Sequence, residues 1–273
     1  MCRWIAYSGD PIYLDEVLFK PEHSLIRQSL EAKVSETVTN GDGFGVGWYG
    51  SRDVPGVFKD IRPAWNDRNL RALSAQIESS LFLAHVRATT GTEVQRSNCH
   101  PFSHDNWLFV HNGVLNEFEK VKRDLVFEVD QQLYPCISGT TDSEIMFYLA
   151  LTFGMADDVA LGLARMVGLV EEICRKHAVE NAIQMTLGIS DGSSLYACRY
   201  STEGKSRTLF HSASIEAIKE IAPEAGKYSP NTRAIVSEPF NELADAWVEV
   251  PESSFLTLSD GDVLCEPFEP MKP

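Results

Sequence analysis

No stretch of the chain approaches the ~18 consecutive apolar residues that a membrane-spanning helix requires, so no membrane partner is expected. The opening segment MCRWIAYSGDPIYLDEV lacks the basic head, long apolar run and small-residue cleavage site of a secretory signal, and the expected location is the cytoplasm. Paired cysteines are missing as well. Cys2, Cys99, Cys136, Cys174, Cys198 and Cys265 are scattered without a CxxC motif, which excludes a zinc ribbon or an iron–sulfur ligand set. Free thiols in a reducing compartment are the default. Positive charge is scarce: 24 Lys and Arg face 39 Asp and Glu, a formal net charge of −15. That balance argues against nucleic acid or an anionic membrane surface and fits a small-molecule substrate or a protein partner. A dinucleotide fingerprint is also lacking. The run Gly41-Asp42-Gly43-Phe44-Gly45-Val46-Gly47 is rich in glycine, but its spacing is wrong and it leads into a strand. There is no internal repeat, low-complexity tract or obvious linker.

What is present is an ordinary globular composition, 44% hydrophobic and 23% charged over 273 residues. Roughly three quarters of the unfolded surface can be buried at this size, so no staple is needed. A single domain over residues 2–266 is expected, with a short Pro-rich tail over 267–273 that should fray. Strand signals fall at Arg3–Tyr7, Gly43–Tyr49, Leu81–Val86, Trp107–His111, Ile183–Ile189, Ser194–Tyr200, Thr208–His211, Thr232–Val236 and Phe255–Leu258. Asp191-Gly192 marks a hairpin turn. Helical periodicity covers Asp67–Ser79, Ser143–Leu151 and Asp157–His177. The helices are grouped rather than alternating with strands, which favours an α+β fold of antiparallel sheets with helices outside.

Cys2 is the most informative position. An initiator Met is usually removed before a residue as small as Cys, and Cys2 would then carry both a thiol and a free α-amine. The amine has an ordinary pKa of about 7.7–8.0, so part of it is neutral near pH 7 and can serve as general base for its own thiol. The alternative is a small hydrophobe packed on a strand. If Met1 stays attached, the base is displaced and the protein should be inactive.

Three further segments bear on the choice. Leu83-Ala84-His85-Val86-Arg87-Ala88-Thr89-Thr90-Gly91 delivers an Arg suited to gripping a carboxylate, followed by hydroxyls. Asn98-Cys99-His100-Pro101-Phe102 precedes a strand that ends in His111-Asn112-Gly113, where an Asn amide beside a Gly N–H offers two donors to one oxyanion. Gly139-Thr140-Thr141-Asp142-Ser143-Glu144 places a carboxylate at a helix start. Each has an ordinary alternative: a surface ion pair for Arg87, a turn for Asn112-Gly113, and a capping box for Thr141 and Glu144 with Asp142 on the helix dipole.

In this order the motifs resemble the class II glutamine amidotransferases, a family of N-terminal-nucleophile hydrolases. The resemblance rests on Met1-Cys2, Gly41 through Tyr49, His85-Val86-Arg87, Asn98-Cys99-His100-Pro101, His111-Asn112-Gly113 and Thr141-Asp142-Ser143-Glu144. It is dense in the first half of the chain. The strand-rich second half carries no distinctive motif. The stand-alone length resembles the subgroup without a fused synthase domain. The resemblance implies a four-layer α-β-β-α sandwich of two antiparallel sheets. It implies Cys2 as nucleophile with its α-amine as base, and Asn112 and Gly113 as oxyanion hole. Arg87 would bind the α-carboxylate of glutamine and Asp142 its α-ammonium, with Thr89 and Thr90 as further substrate-pocket residues. The family's familiar Trp after the Arg and His before the Gly are absent here, where Ala88 and Thr90 stand, so the local pocket shape differs.

The expected activity is hydrolysis of the γ-amide of glutamine through a Cys2 thioester, with ammonia passed to a separate synthase partner. No acceptor domain is visible in the chain. A second enzyme reading is hydrolysis of a γ-glutamyl peptide or γ-glutamyl thiol metabolite. A reading of another class is a catalytically silent regulatory or metal-binding protein, with Cys99, His100, His104 and His111 as zinc ligands; their spacing fits no standard zinc pattern. No cofactor, metal or nucleic acid is implied. Trp4, Phe44, Trp48 and Trp65 could line a pocket wall or simply pack in the core.

Overall fold

Two antiparallel β-sheets stack face to face in the computed structural model, which describes residues 2–30, 39–89, 91–213, 229–240 and 245–273. The first sheet is built from β1 (Arg3–Tyr13), β2 (Phe44–Trp48), β3 (Gly56–Asp60), β4 (Glu78–Val86), β9 (Phe210–Ser212), β10 (Arg233–Val236) and β11 (Trp247–Glu249), in the order β11-β9-β10-β1-β4-β2-β3. The second comprises β5 (Phe102–His104), β6 (Trp107–Leu115), β7 (Ile183–Ser190), β8 (Leu195–Ser201), β12 (Ser254–Ser259) and β13 (Asp262–Pro267), in the order β13-β12-β8-β7-β6-β5. Helices α1 (Asp15–Leu18), α2 (Leu25–Leu30) and α3 (Arg68–Ser74) cover the first sheet, and α4 (Phe118–Phe127), α5 (Asp142–Thr152) and α6 (Val159–Lys176) the second.

The alternation of strand side chains produces this layering. Trp4 and Ala6 of β1, Leu81 and Leu83 of β4, and Leu108 and Val110 of β6 meet in the core between the sheets. Ile5, Tyr7, Phe82 and Ala84 turn the other way, toward α1 to α3. Phe109 and Leu115 turn toward α4 to α6. The result is the expected four-layer arrangement. Within β2 the inward positions are Gly45 and Gly47. A Cβ on Gly45 would fall on the His100 carbonyl oxygen, and one on Gly47 would press on Leu108 and Pro101. These glycines let the second sheet's leading loop lie directly on the first sheet.

Several boundaries differ from expectation. The helix expected over Asp67–Ser79 stops at Ser74, because β4 begins at Glu78 and pairs Glu78 with Tyr13 and Ser79 with Ile12. β6 continues through Asn112 and Gly113 to Leu115, so these two residues are strand, paired with Thr186 and Met185, and not a turn. The C-terminal tail does not fray. Phe268 is buried, its N–H donates to the Ser253 carbonyl, and the Met271 N–H donates to the Ala164 carbonyl of α6. The tail packs there because Gly168 leaves no side chain in its path. The hairpin at Asp191-Gly192 is present, with Gly192 at φ 92° and Asp191 Oδ1 accepting from the N–H groups of Ser193 and Ser194.

Candidate active site

Strand register brings Cys2 and Arg87 together. Arg3 pairs with Val86 and Trp4 with His85, so Cys2 and Arg87 flank each other just past that end of the β1–β4 ladder. By alternation Cys2 shares the inter-sheet side with Trp4. The Cys2 thiol donates to the Ala88 carbonyl at 3.5 Å. Burial pushes this thiol above its ordinary value; the nearby Arg87 guanidinium pulls it down and Asp142 pushes it up. Cys2 therefore lies within electrostatic reach of one fixed cation and one carboxylate.

Arg87 is 3% exposed, and among the described residues no carboxylate lies within ion-pair distance of it. It is held by neutral acceptors: Nη1 donates to the Asp42 carbonyl at 3.3 Å, and Nη2 to Thr92 Oγ1 at 2.6 Å, the Glu93 carbonyl at 3.3 Å and Thr89 Oγ1 at 3.4 Å. Its backbone is fixed by the Gly41–Phe44 segment, where the Gly43 carbonyl accepts from the Arg87 N–H and the Asp42 N–H donates to the Arg87 carbonyl. Gly43 has φ 116°, a conformation that favours glycine. A buried guanidinium without a counterion is costly unless something anionic completes it.

Asn112 faces the inter-sheet layer with Leu108 and Val110, on the same side as Trp4. A short chain of bonds ties the two sheets here. Trp4 Nε1 donates to Thr186 Oγ1 at 3.3 Å, and the Thr186 hydroxyl donates to the Asn112 carbonyl at 3.3 Å. Gly113 cannot be replaced without displacing its neighbour strand, since a Cβ would overlap the Gln184 carbonyl.

Asp142 is the first residue of α5, capped by Thr141, whose hydroxyl accepts from the Glu144 N–H at 3.2 Å. The capping box is half formed: the Glu144 carboxylate turns away to accept from the N–H groups of Ser138 and Gly139. Asp142 Oδ2 accepts from the Leu115 N–H at 2.9 Å, and Oδ1 accepts from the Ser143 N–H and hydroxyl. No basic side chain among the described residues pairs with it. Ser143 Oγ also lies 2.8 Å from His111 Nδ1. With Asp142 ionised, His111 Nδ1–H donating to Ser143 and Ser143 donating to Asp142 satisfies these three groups and leaves His111 Nε2 buried without a hydrogen-bond partner.

Thr89 is committed locally. Its hydroxyl donates to the Thr92 carbonyl at 2.7 Å and its N–H to Asp42 Oδ2 at 2.8 Å, so it braces the loop that holds Arg87. Thr90 lies outside the described residues. Trp4 and Phe44 are core residues, 1% and 2% exposed. The four side chains considered for zinc have separate partners: Cys99 donates to the Asp60 carbonyl, His100 stacks on His85, His104 lies beside Asp105, and His111 bonds Ser143.

Asp42, Thr92 and Ser143 are site residues that sequence reasoning did not single out. Asp42 sits in the glycine run that was recognised, and Ser143 in the helix-start motif. Thr92 carried no signal. A buried histidine group behind the site was also not foreseen. The His85 and His100 rings stack at 4.2 Å, and His85 Nε2 donates to the His111 carbonyl at 3.2 Å. Burial pushes His85 down to about 3 and lowers His100 and His111 in the same direction, so all three are neutral.

A half-buried thiol thus lies within electrostatic reach of a cation lacking an anion and of an anion lacking a cation, beside a strand carrying an Asn amide. That arrangement complements a zwitterion with an electrophilic carbon at its far end.

Comparison with known proteins identifies the family. The family model described as class II glutamine amidotransferases matches residues 20–271. A probable glutamine amidotransferase, DUG3, of Saccharomyces cerevisiae is 31% identical over 98% of this chain and 84% of its own length. A γ-glutamyl-hercynylcysteine sulfoxide hydrolase of Mycolicibacterium smegmatis is 25% identical over 98% of this chain and 100% of its own. A solved class II domain protein from Silicibacter pomeroyi superposes with TM-score 0.75 at 30% identity, covering 98% of this chain and all of that one. The glutamine phosphoribosylpyrophosphate amidotransferase of Bacillus subtilis shares the fold, with TM-score 0.65 at 14% identity, over 98% of this chain and 49% of that one. By its motifs, its two-sheet fold and the match of the family model over nearly its whole length, the chain belongs to the class II glutamine amidotransferases.

Proposed function

We propose that the chain hydrolyses a γ-glutamyl amide bond through a thioester on Cys2. The observation that carries this reading is the pair of uncompensated opposite charges, Arg87 and Asp142, both acting on the Cys2 thiol. In the glutamyl group an α-carboxylate and an α-ammonium share one carbon, and the γ-carbonyl lies three bonds further on. Arg87 takes the carboxylate and Asp142 the ammonium. With Met1 removed, the Cys2 α-amine accepts the thiol proton and the thiolate adds to the γ-carbonyl carbon. The oxyanion rests on the Asn112 amide and the Gly113 N–H. The α-ammonium returns the proton to the departing nitrogen, the C–N bond breaks and the thioester remains. Water, deprotonated by the same amine, adds to the thioester, and its collapse releases glutamate and the thiol.

Glutamine is the simplest donor, its leaving group being ammonia for a separate synthase. A second donor class, a γ-glutamyl peptide or γ-glutamyl thiol metabolite, is favoured by a specific observation: the M. smegmatis relative, matched over its whole length, is named as a hydrolase of such a compound. The glutamyl half of the site serves both. The test is glutamate release from L-glutamine and from a panel of γ-glutamyl peptides and thiols, using protein whose intact mass shows loss of Met1. Cys2→Ala is expected to abolish release. Release by Cys2→Ala equal to that of the parent protein would remove the thioester mechanism. The ratio of kcat/KM for glutamine to that for the best γ-glutamyl compound decides between the donors.

A further inference from the structure

Outside the proposed substrate site, a buried ion pair lies directly behind Cys2. Arg3 is 3% exposed and Glu238 8%. Arg3 Nη2 donates to Glu238 Oε1 at 2.5 Å, and Arg3 Nη1 donates to the backbone carbonyl of Cys2 at 2.9 Å. Arg3 Nε is buried with no partner. Glu238 lies two residues beyond β10, and its neighbour Ser237 is laced to β1: the Ser237 N–H donates to the Trp4 carbonyl at 3.1 Å, and Ser237 Oγ accepts from the Trp4 N–H at 3.0 Å. The Thr208 hydroxyl in turn anchors the Ser237 carbonyl at 3.0 Å.

Packing alone does not call for these charges. A buried ion pair replaced by apolar side chains of similar volume is often neutral or more stable. A terminal residue does need a fixed carbonyl. Once Met1 is gone, no preceding peptide holds Cys2, and the direction of its amine and thiol is set by its ψ and χ1 alone. The bond to the Cys2 carbonyl fixes the plane of the Cys2–Arg3 peptide, and with it the Cα–C axis about which the amine and thiol turn. We infer that Arg3, held by Glu238, is a positioning residue that fixes the Cys2–Arg3 peptide plane and so places the α-amine and thiol of Cys2 within reach of the γ-carbonyl. The inference rests on Cys2 being the nucleophile. It places on the outer face of β1 a determinant of turnover that touches no substrate.

The test compares Arg3→Met, Glu238→Leu and the double variant R3M/E238L, each Met-processed, with the parent protein. Each single change leaves one buried charge unpaired and should lower Tm. The double change removes both charges and should recover Tm relative to either single change. If the pair positions Cys2, kcat per thiol titratable by a γ-glutamyl affinity label stays roughly ten- to a hundredfold down in the double variant, because the carbonyl is no longer clamped. KM should move less than about threefold, since Arg87 and Asp142 are untouched. A kcat per titrated site that returns along with Tm overturns the inference. If the parent protein releases glutamate from no γ-glutamyl compound, the proposed function has failed, and the clamp is then judged by alkylation of Cys2 with iodoacetamide. The clamp predicts at least about threefold faster alkylation in the double variant, as the thiol leaves the Ala88 carbonyl for water; an unchanged rate overturns it.

Discussion

In the proposed mechanism Arg87 and Asn112 carry separate parts of the chemistry. Arg87 spends its hydrogen bonds on Thr92, Thr89 and two carbonyls, which hold the guanidinium in place without neutralising it. A lysine would keep the charge but lose the planar fork. Arg87→Lys should therefore raise KM roughly ten- to a hundredfold, the equivalent of losing a charge-assisted hydrogen bond, with a smaller change in kcat. Steady-state kinetics of glutamate release check this, and an unchanged KM would sink the role. Asn112 should behave oppositely. In the proposed mechanism its amide supplies the oxyanion hole, so Asn112→Ala should lower kcat roughly 10²–10³-fold with little change in KM. A KM effect without a kcat effect would move Asn112 from the oxyanion hole to substrate binding. Both residues were legible in sequence as residue types in a motif. Thr89 was legible as a hydroxyl beside Arg87, but its proton goes to the Thr92 carbonyl, a bond set by loop geometry that composition does not encode.

At the scale of elements, α5 presents Asp142 from a first turn that is anchored twice. Thr141 caps the helix, and the Leu115 N–H at the end of β6 reaches Asp142 Oδ2. The end of β6, which carries Asn112 and Gly113, and the start of α5, which carries Asp142, are thereby bonded to each other. Thr141→Ala should cost about 1 kcal/mol, the ordinary value of an N-cap hydroxyl, and raise KM more than it lowers kcat as Asp142 loosens. The urea midpoint and the kinetic split together check it; a stability loss with unchanged KM would make the cap purely structural. Sequence periodicity located α5 and α6 to within two residues because their apolar patterns are strong. It extended α3 too far and ended β6 too early. In both places the deciding partner lies elsewhere in the chain: Tyr13 for Glu78, and Thr186 and Met185 for Asn112 and Gly113.

Across the whole molecule, the core behind the site contains His85, His100 and His111, all buried and neutral. Burial depresses each, and His85 falls from the usual 6.5 to about 3. Between those values the unfolded chain binds protons that the folded chain refuses, so acid favours unfolding. Stability should be fully present above about pH 6.5 and be lost progressively as the pH falls toward about 3. Thermal melts across that window check the sign. His100 stacks on His85 and meets Phe102 edge-on, so His100→Phe should flatten the acid limb. A Tm independent of pH from 7 to 4 in the parent protein would show that the histidines are hydrated. The formal charge of −15 acts in the opposite sense, since protonating carboxylates relieves self-repulsion, and the melts measure the sum.

The sequence by itself determined the chemical vocabulary of this protein: a cysteine at position 2, an arginine after a strand, an Asn-Gly pair, a carboxylate at a helix start, and grouped helices that call for antiparallel sheets with helices outside. These are local properties, written in periods of two and 3.6 residues and in the side chains themselves. Tertiary structure alone decided which of these groups meet. Register between β1 and β4 sets Cys2 beside Arg87. Glycines at 45 and 47 let the second sheet approach the first. Glu238, more than 230 residues away in sequence, closes on Arg3 behind Cys2. Such contacts depend on strand order and on which face each strand turns inward, and no local pattern carries that information.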